Sequence, residues 1–487
     1  METSTPAAAP HRRDGRWAAL IVLCLGVLMI VLDTTIVNVA LPSIRTDLGF
    51  TETTLAWVVN AYLLTFGGFL LLGGRLGDLY GHRRLFLVGI AVFTLASLAC
   101  GTATSQAFLV AARGAQGLGG AIVTSVALSL IMNLFTEDGE RAKAMGVYSF
   151  VCAGGGSVGV LLGGILTDLF SWHWIFLVNL PIGVVVYALC LALLPAAAGE
   201  ASGQRLDVTG AVTVTLALML AVYAVVNGNE AGWLSAQTLG LLAAGAVLMA
   251  VFLVVESRVK HPLMPLSLFG LRNIAIANIV GVLWAAAMFA WFFISALYMQ
   301  QVLGYSPMQV GLAFLPANLI MAAFSLGLSA RIVMRFGIRR PLVAGLLTAA
   351  VGLALFARAP VGGDVMLDVL PGMLLLGLGG GIAFNPLLLA AMSDVDPNDS
   401  GLASGVVNTA FMMGGALGLA VLASLAAARS DVMAAAGAAA PAALTGGYHL
   451  AFAVGAVFAA LAAICGIFMR AKVTAGAHEA ERATATS

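Results

Sequence analysis

Gly74-Arg75-Leu76-Gly77-Asp78-Leu79-Tyr80-Gly81-His82-Arg83-Arg84 is the stretch on which the reading of this chain turns. It sets four charged residues between two long apolar runs, near 54–74 and 84–104. Its last four residues recur as Gly337-Ile338-Arg339-Arg340, 256 residues further on. Gly117-Leu118-Gly119-Gly120 recurs as Gly377-Leu378-Gly379-Gly380 at an offset of 260. Gly155-Gly156-Ser157-Val158-Gly159 recurs as Gly414-Gly415-Ala416-Leu417-Gly418 at an offset of 259. Three near-equal offsets across three helices imply two parallel six-helix halves. Internal repeats of this kind mark secondary transporters, whose substrate lies between halves that rock against each other.

Working outward, 61% of the 487 residues are hydrophobic and 9% are charged, with a mean hydropathy of +1.03. Soluble domains average roughly 45–50% apolar and about 25% charged residues, so the expected fold class is an all-α, multi-pass membrane protein of the cell (inner or plasma) membrane. The 23 Lys and Arg nearly balance the 22 Asp and Glu, which gives no footprint for nucleic acid. Cys24, Cys100, Cys152, Cys190 and Cys465 stand singly in apolar runs, against a disulfide framework or a metal centre. No metal or cofactor is expected. The apolar run from Trp17 to Pro42 is too long for a cleavable signal peptide and passes through Asp33.

A helix needs about 20 apolar residues to cross a bilayer. On that measure fourteen spans are expected, near 17–42, 54–74, 84–104, 107–134, 142–169, 173–195, 207–227, 236–257, 273–302, 308–330, 340–358, 368–392, 401–428 and 447–470. They divide into a six-helix bundle over 17–195, an inserted pair over 205–257 and a second bundle over 270–470. Polar tails at 1–16 and 471–487 are expected to be disordered and cytoplasmic. With the N-terminus inside, nineteen Lys and Arg fall in inside segments and three (Arg45, Arg358, Arg429) outside, Arg113 lying within a span. That asymmetry is what the positive-inside rule requires, and a miscounted helix would scramble it.

The halves differ in charge. In the repeat, Asp78 aligns with Met334 and Arg113 with Met373. Asp33 is the one acid expected deep within a span, about 13 Å from the outer end at Pro42, and Arg113 lies about 9 Å from the outer end of its span. A charge in hydrocarbon costs at least ~2.5–3.5 kcal/mol and normally faces a working cavity. Asp33 is therefore read as a proton-binding carboxyl tuned by Arg113 and nearby polar groups, and the bland alternative is an ion pair that only fixes packing. In span five, Gly155, Gly159 and Gly163 form a small-residue stripe that favours close helix packing.

These residues resemble the major facilitator superfamily, specifically its fourteen-helix drug:proton antiporter family. Gly74 to Arg84 is similar to the superfamily's signature between helices two and three. Leu32-Asp33-Thr34-Thr35-Ile36-Val37-Asn38-Val39-Ala40-Leu41-Pro42 resembles the first-helix signature of the fourteen-helix branch. Arg113-Gly114-Ala115-Gln116-Gly117 resembles the fourth-helix motif tied to proton coupling, and Trp174 to Gly183 resembles the start of helix six. The resemblance implies a cytoplasmic latch of Gly74, Arg75, Asp78, Gly81, Arg83 and Arg84, and an antiporter packing motif of Gly155, Gly159, Gly163 and Gly164. In that motif the family carries proline after the second glycine, where this chain has Val160. Valine restores a backbone N–H and removes a cause of kinking.

Tyr62, Gln116, Asn278, Gln300, Asn318, Asn385 and Asn408 supply polar groups at membrane depth, and Trp284, Met288, Trp291, Phe411 and Met412 supply large polarizable ones; each is equally explicable as packing. Aromatic and Met surfaces suit lipophilic guests. The expected activity is export of hydrophobic neutral or cationic compounds in exchange for protons, by a chain acting as a monomer. Export of an endogenous secondary metabolite or an amphipathic lipid is the alternative within transport. A membrane-embedded enzyme or sensor is the alternative from another class, but the sequence offers no paired span carboxylates, no Ser–His dyad and no output domain.

Overall fold

Backbone amides find no partner in hydrocarbon, so a chain this apolar satisfies them within helices. The computed structural model describes residues 13–135, 137–194, 208–259, 262, 266–324, 328–392 and 400–469, and holds no strand among them. A first group comprises α1 (Arg13–Leu48), α2 (Glu52–Leu55), α3 (Trp57–Tyr80), α4 (His82–Gly101), α5 (Gln106–Leu134), α6 (Asp138–Leu169), α7 (Trp174–Leu177) and α8 (Asn179–Leu193). A pair follows, α9 (Val208–Ala231) and α10 (Ala236–Arg258). The second group is α11 (Arg272–Leu297), α12 (Pro307–Ala323), α13 (Ser329–Phe336), α14 (Arg339–Phe356), α15 (Leu370–Met392), α16 (Ser400–Ala435) and α17 (Ala440–Ile467). Both expected tails lie outside the described residues, apart from the start of α1.

Polar residues at the helix starts explain several boundaries. Thr51 and Ser306 form capping boxes with Thr54 and Gln309, and the Ser105 and Ser235 hydroxyls accept from the third amide of α5 and α10. Each of these caps takes up a backbone donor that the helix leaves free. Two boundaries differ from the sequence reading. α1 continues through Pro42 to Leu48, because a proline costs one rung and its φ already suits a helix. The Gly74–Arg84 stretch is not a loop. α3 stays helical to Tyr80, and the chain breaks only at Gly81, whose φ of +91° suits glycine.

Twelve helices among the described residues are long and apolar enough to cross a membrane, against the fourteen expected. The expected spans 142–169 and 308–330 correspond to two shorter apolar stretches, Val158–Leu169 in α6 and Pro307–Ala323, which is α12. Seventeen residues rise about 26 Å, just under the hydrocarbon thickness of ~30 Å.

The sequence repeat returns as a packing repeat. Gly337, with φ +77°, ends α13 as Gly81 ends α3. A Cβ on Gly117 would run into the Tyr62 carbonyl of α3, and one on Gly377 into the Ala317 carbonyl of α12. Gly119 seats α5 on Phe93 of α4, as Gly379 seats α15 on Gly345 and Ala349 of α14. Gly159 packs α6 on Leu32 and Thr35 of α1, as Gly418 packs α16 on Ala286 of α11. The two groups meet along α6 with α12 and along α3 with α16, while α9 lies against α3 and α16 and carries α10.

Candidate functional site

Arg113 and Gln116 stand three residues apart on one face of α5. Gly117, one position on, lets α5 close on the α3 backbone. From there Arg113 reaches Asp33 in the middle of α1, with 2.5 Å between Nη1 and Oδ2 and side chains 1% and 0% exposed. Asp33 Oδ1 accepts from Gln116 Nε2 at 2.6 Å and from Asn179 Nδ2 at 3.1 Å. Arg113 also donates through Nε to the Val58 carbonyl at 2.8 Å and through Nη1 to Gln116 Oε1 at 2.7 Å. Gln116 Nε2 donates in addition to Ser97 Oγ at 2.9 Å. The guanidinium carbon lies 4.4 Å from the centre of the Tyr62 ring and 5.6 Å from that of Phe176, a cation–π arrangement that strengthens where water is excluded.

Six helices of the first group thus converge on one carboxylate. Three donors hold it, which suits the ionised form, since an ionised carboxylate only accepts and a protonated one must also donate. Taking up a proton removes the anion that Arg113 faces and adds an O–H that needs an acceptor of its own. The sequence reading singled out Asp33, Arg113, Gln116 and Tyr62, and the structure brings all four together. It missed Asn179, an amide in the otherwise apolar run Trp174 to Gly183, and that break in the pattern was the available signal. Ser97 gave none, because a serine in an apolar helix ordinarily bonds its own backbone, as this one does to Phe93 at 2.8 Å.

A second polar cluster joins the two groups at the end of the bundle where α1 meets α2. Arg45 Nη1 donates to Glu52 Oε1 at 3.2 Å and to Gln301 Oε1 at 2.7 Å. The Tyr448 hydroxyl, with its one proton, lies within donating distance of the same two acceptors, at 3.3 and 3.2 Å. Gln300 Nε2 donates to the Val39 carbonyl at 2.8 Å, so this cavity candidate instead bridges the groups at the same end. Glu52 stands at the very start of the second membrane-length helical segment, Glu52–Leu70, whereas Asp33 lies in the middle of α1.

At the other end, Arg83 Nη2 donates to the Leu191 carbonyl of α8 at 2.8 Å, a bond within the first group, and Arg84 is exposed. Gly74 and Gly81 lie on the backbone path described above. The side chains of Arg75 and Asp78, which the latch requires, lie outside the described residues. The glycine stripe faces the site helix. Gly155 packs on Leu28 and Val31, Gly159 on Leu32 and Thr35, and Gly163 on Ile36, all of α1, whereas Gly164 turns to Pro307 and Met308 of α12. Val160 offers its carbonyl at 2.9 Å to the Cβ position of Gly311, so α6 is held close on both sides.

The remaining cavity candidates lie on α11, α12, α15 and α16 of the second group. Asn278 donates to the Ile274 carbonyl of its own helix at 2.9 Å. Trp284, Trp291 and Asn318 are buried on α11 and α12, and their Nε1 and Nδ2 donors find no hydrogen-bond partner among the described residues. Trp291 packs against Phe314, with 5.9 Å between ring centres, and Phe411 lies 6.1 Å from Phe289 and 5.9 Å from Phe384. Met288, Asn385, Asn408 and Met412 are half-buried on α11, α15 and α16.

Residues 23–419 match the sequence pattern of the Major Facilitator Superfamily. The chain is 42% identical to the puromycin resistance protein pur8 of Streptomyces alboniger, over 84% of this chain and 81% of that protein. It is 41% identical to the cephamycin export protein CmcT of Amycolatopsis lactamdurans, over 83% and 84%. It is 34% identical to the tetracenomycin C resistance and export protein of Streptomyces glaucescens, over 87% and 78%. A solved bacterial homologue of the human drug peptide transporters PepT1 and PepT2 shares the fold, with a TM-score of 0.63 at 15% identity over 93% of this chain and 97% of that one. The packing repeat, the buried charge cluster and these matches have one meaning: the chain belongs to the major facilitator superfamily of multi-pass membrane transporters and is not an enzyme.

Proposed function

We propose that this transporter exports hydrophobic, neutral or cationic organic compounds across the cell membrane in exchange for protons, with Asp33 as the proton-binding residue. The observation that carries the proposal is the Asp33–Arg113 pair, a charge pair buried at membrane depth, whose carboxylate also accepts from Gln116 and Asn179. Two bundles, 17–195 and 270–470, rock about the seams of α6 with α12 and α3 with α16, with the 205–257 pair at their side. The chain crosses the membrane fourteen times, keeps both ends in the cytoplasm and acts as a monomer. Arginine placement supports that topology, and the two relatives named for export, of cephamycin and of tetracenomycin C, support the direction of transport.

Two of those relatives are named for export of an antibiotic, and that favours a second reading in which the cargo is a secondary metabolite made by the same cell. Both readings share the proton step. Inverted membrane vesicles loaded by an imposed proton gradient test it with ethidium as the probe. Asp33→Asn should abolish gradient-driven uptake while the protein still accumulates in the membrane, because Arg113 keeps the Val58 and Gln116 acceptors. Full gradient-driven transport by this variant removes Asp33 from the mechanism.

A further inference from the structure

We propose that Glu52 is a second working carboxylate, whose negative charge locks the outer ends of the two bundles together. The proposal rests on the alternating-access reading above and adds the residue that reports a proton to the bundle interface. The Asp33 cluster draws all its members from the first group, so it holds a charge without touching the partner bundle. Glu52 does touch it. Arg45, Glu52, Tyr448 and Gln301 close into a ring, Arg45 donating to both acceptors and the Tyr448 hydroxyl sharing its one proton between them, with the first two residues from one bundle and the last two from the other.

The ring is sheltered, with the Glu52 side chain 12% exposed and Tyr448 buried. Its charge is balanced by one cation and one anion. The titratable groups that act on Glu52 are Arg45 of α1, Tyr448 of α17 and Asp431 of α16. A proton on Glu52 removes the ionic acceptor from both Arg45 and Tyr448, and hydrogen bonds to charged groups are roughly twice as strong as neutral ones. Arg45 then loses its ionic partner within the ring and keeps there only the neutral Gln301 Oε1 of the second bundle. The sign follows directly: ionised Glu52 keeps the outer side shut, and acid outside loosens it, exposing the path to Asp33 on the face where protons enter.

Hydrogen exchange of the full chain in lipid nanodiscs tests this without substrate or gradient. Corrected for the intrinsic rate, exchange in segments 298–305 and 440–450 should be about tenfold faster at about pH 5 than at about pH 9, the order expected for losing a bond to a charged group. Glu52→Gln should exchange at the fast level at both pH values. A wild-type pH response that persists in Glu52→Gln, or a wild type with no response, overturns the proposal. Tyr448→Phe removes one hydroxyl and keeps the aromatic ring, so it guards against a Glu52 variant that fails to fold. It should raise exchange several-fold at about pH 9 in the same two segments, and unchanged protection there also overturns the proposal. Transport by Asp33→Asn does not enter this readout, so the two readings fail separately.

Discussion

At the residue scale, the site is one anion and one cation whose value lies in mutual completion. Breaking a buried pair by removing one partner is far more damaging than replacing both, and geometry matters as much as charge. Arg113 spreads three bonds over Asp33, Gln116 and Val58, which a planar fork can do and a point charge cannot. Arg113→Lys should therefore keep the charge and the fold but lower gradient-driven ethidium transport at least about tenfold, measured against protein amount in the same vesicles; transport at the wild-type rate would reduce Arg113 to a mere counter-ion. Asp33 and Arg113 were legible in the sequence because a charge in an apolar run is costly and conspicuous. Asn179 left a fainter mark, one amide breaking an apolar run, and Ser97 left none, since a serine in a membrane helix usually bonds its own backbone. Glu52 was hidden for another reason: it stands beside Thr51, Thr53 and Thr54 at a helix start, where an acid normally serves the helix dipole.

At the element scale, α6 positions the site by pressing on α1 through glycines. A Cβ on Gly163 would sit 2.6 Å from the Ile36 carbonyl oxygen, and that is backbone, with no rotamer to yield. Gly163→Ala should thus destabilise the protein by ~1–3 kcal/mol, as overpacking does, and shift α1 along with Asp33. Gly240 of α10 has nothing within 4 Å of its Cβ position, so Gly240→Ala should be neutral or gain up to about 1 kcal/mol of helix propensity. Thermal unfolding in detergent separates them, and equal midpoints would refute the close-contact argument. The glycine repeat gave away the order of the helices and their pairing, because close contact admits few residue types. Helix ends were harder to read. Pro42 and the Gly74–Arg84 stretch look like breaks in sequence, yet the chain coils through Pro42 and on to Tyr80, since tertiary neighbours hold what local preference would end.

At the scale of the whole molecule, α9 and α10 fix whether the two bundles are joined by two further crossings. Each is apolar along its length, and together they connect two bundles that repeat the same contacts. If both cross, the turn between them must emerge on the same side as the α4–α5 turn and the α14–α15 turn, and the arginine-rich ends must all face the other way, as the positive-inside rule asks. Single cysteines at Thr104, Leu234 and Gly362 test this, all three being exposed. Each should react with a membrane-impermeant maleimide added to intact cells. Cysteines at Arg84 and Arg335, also exposed, should react only after permeabilisation. The native cysteines Cys24, Cys100 and Cys190 are buried, and replacing all five native cysteines beforehand clears the background. The Leu234 position carries the decision. Labelling from outside in step with Thr104 and Gly362 requires α9 and α10 each to span, which restores parity between the bundles. Labelling only after permeabilisation would leave the pair on the cytoplasmic surface, and fourteen crossings would have to be given up for twelve.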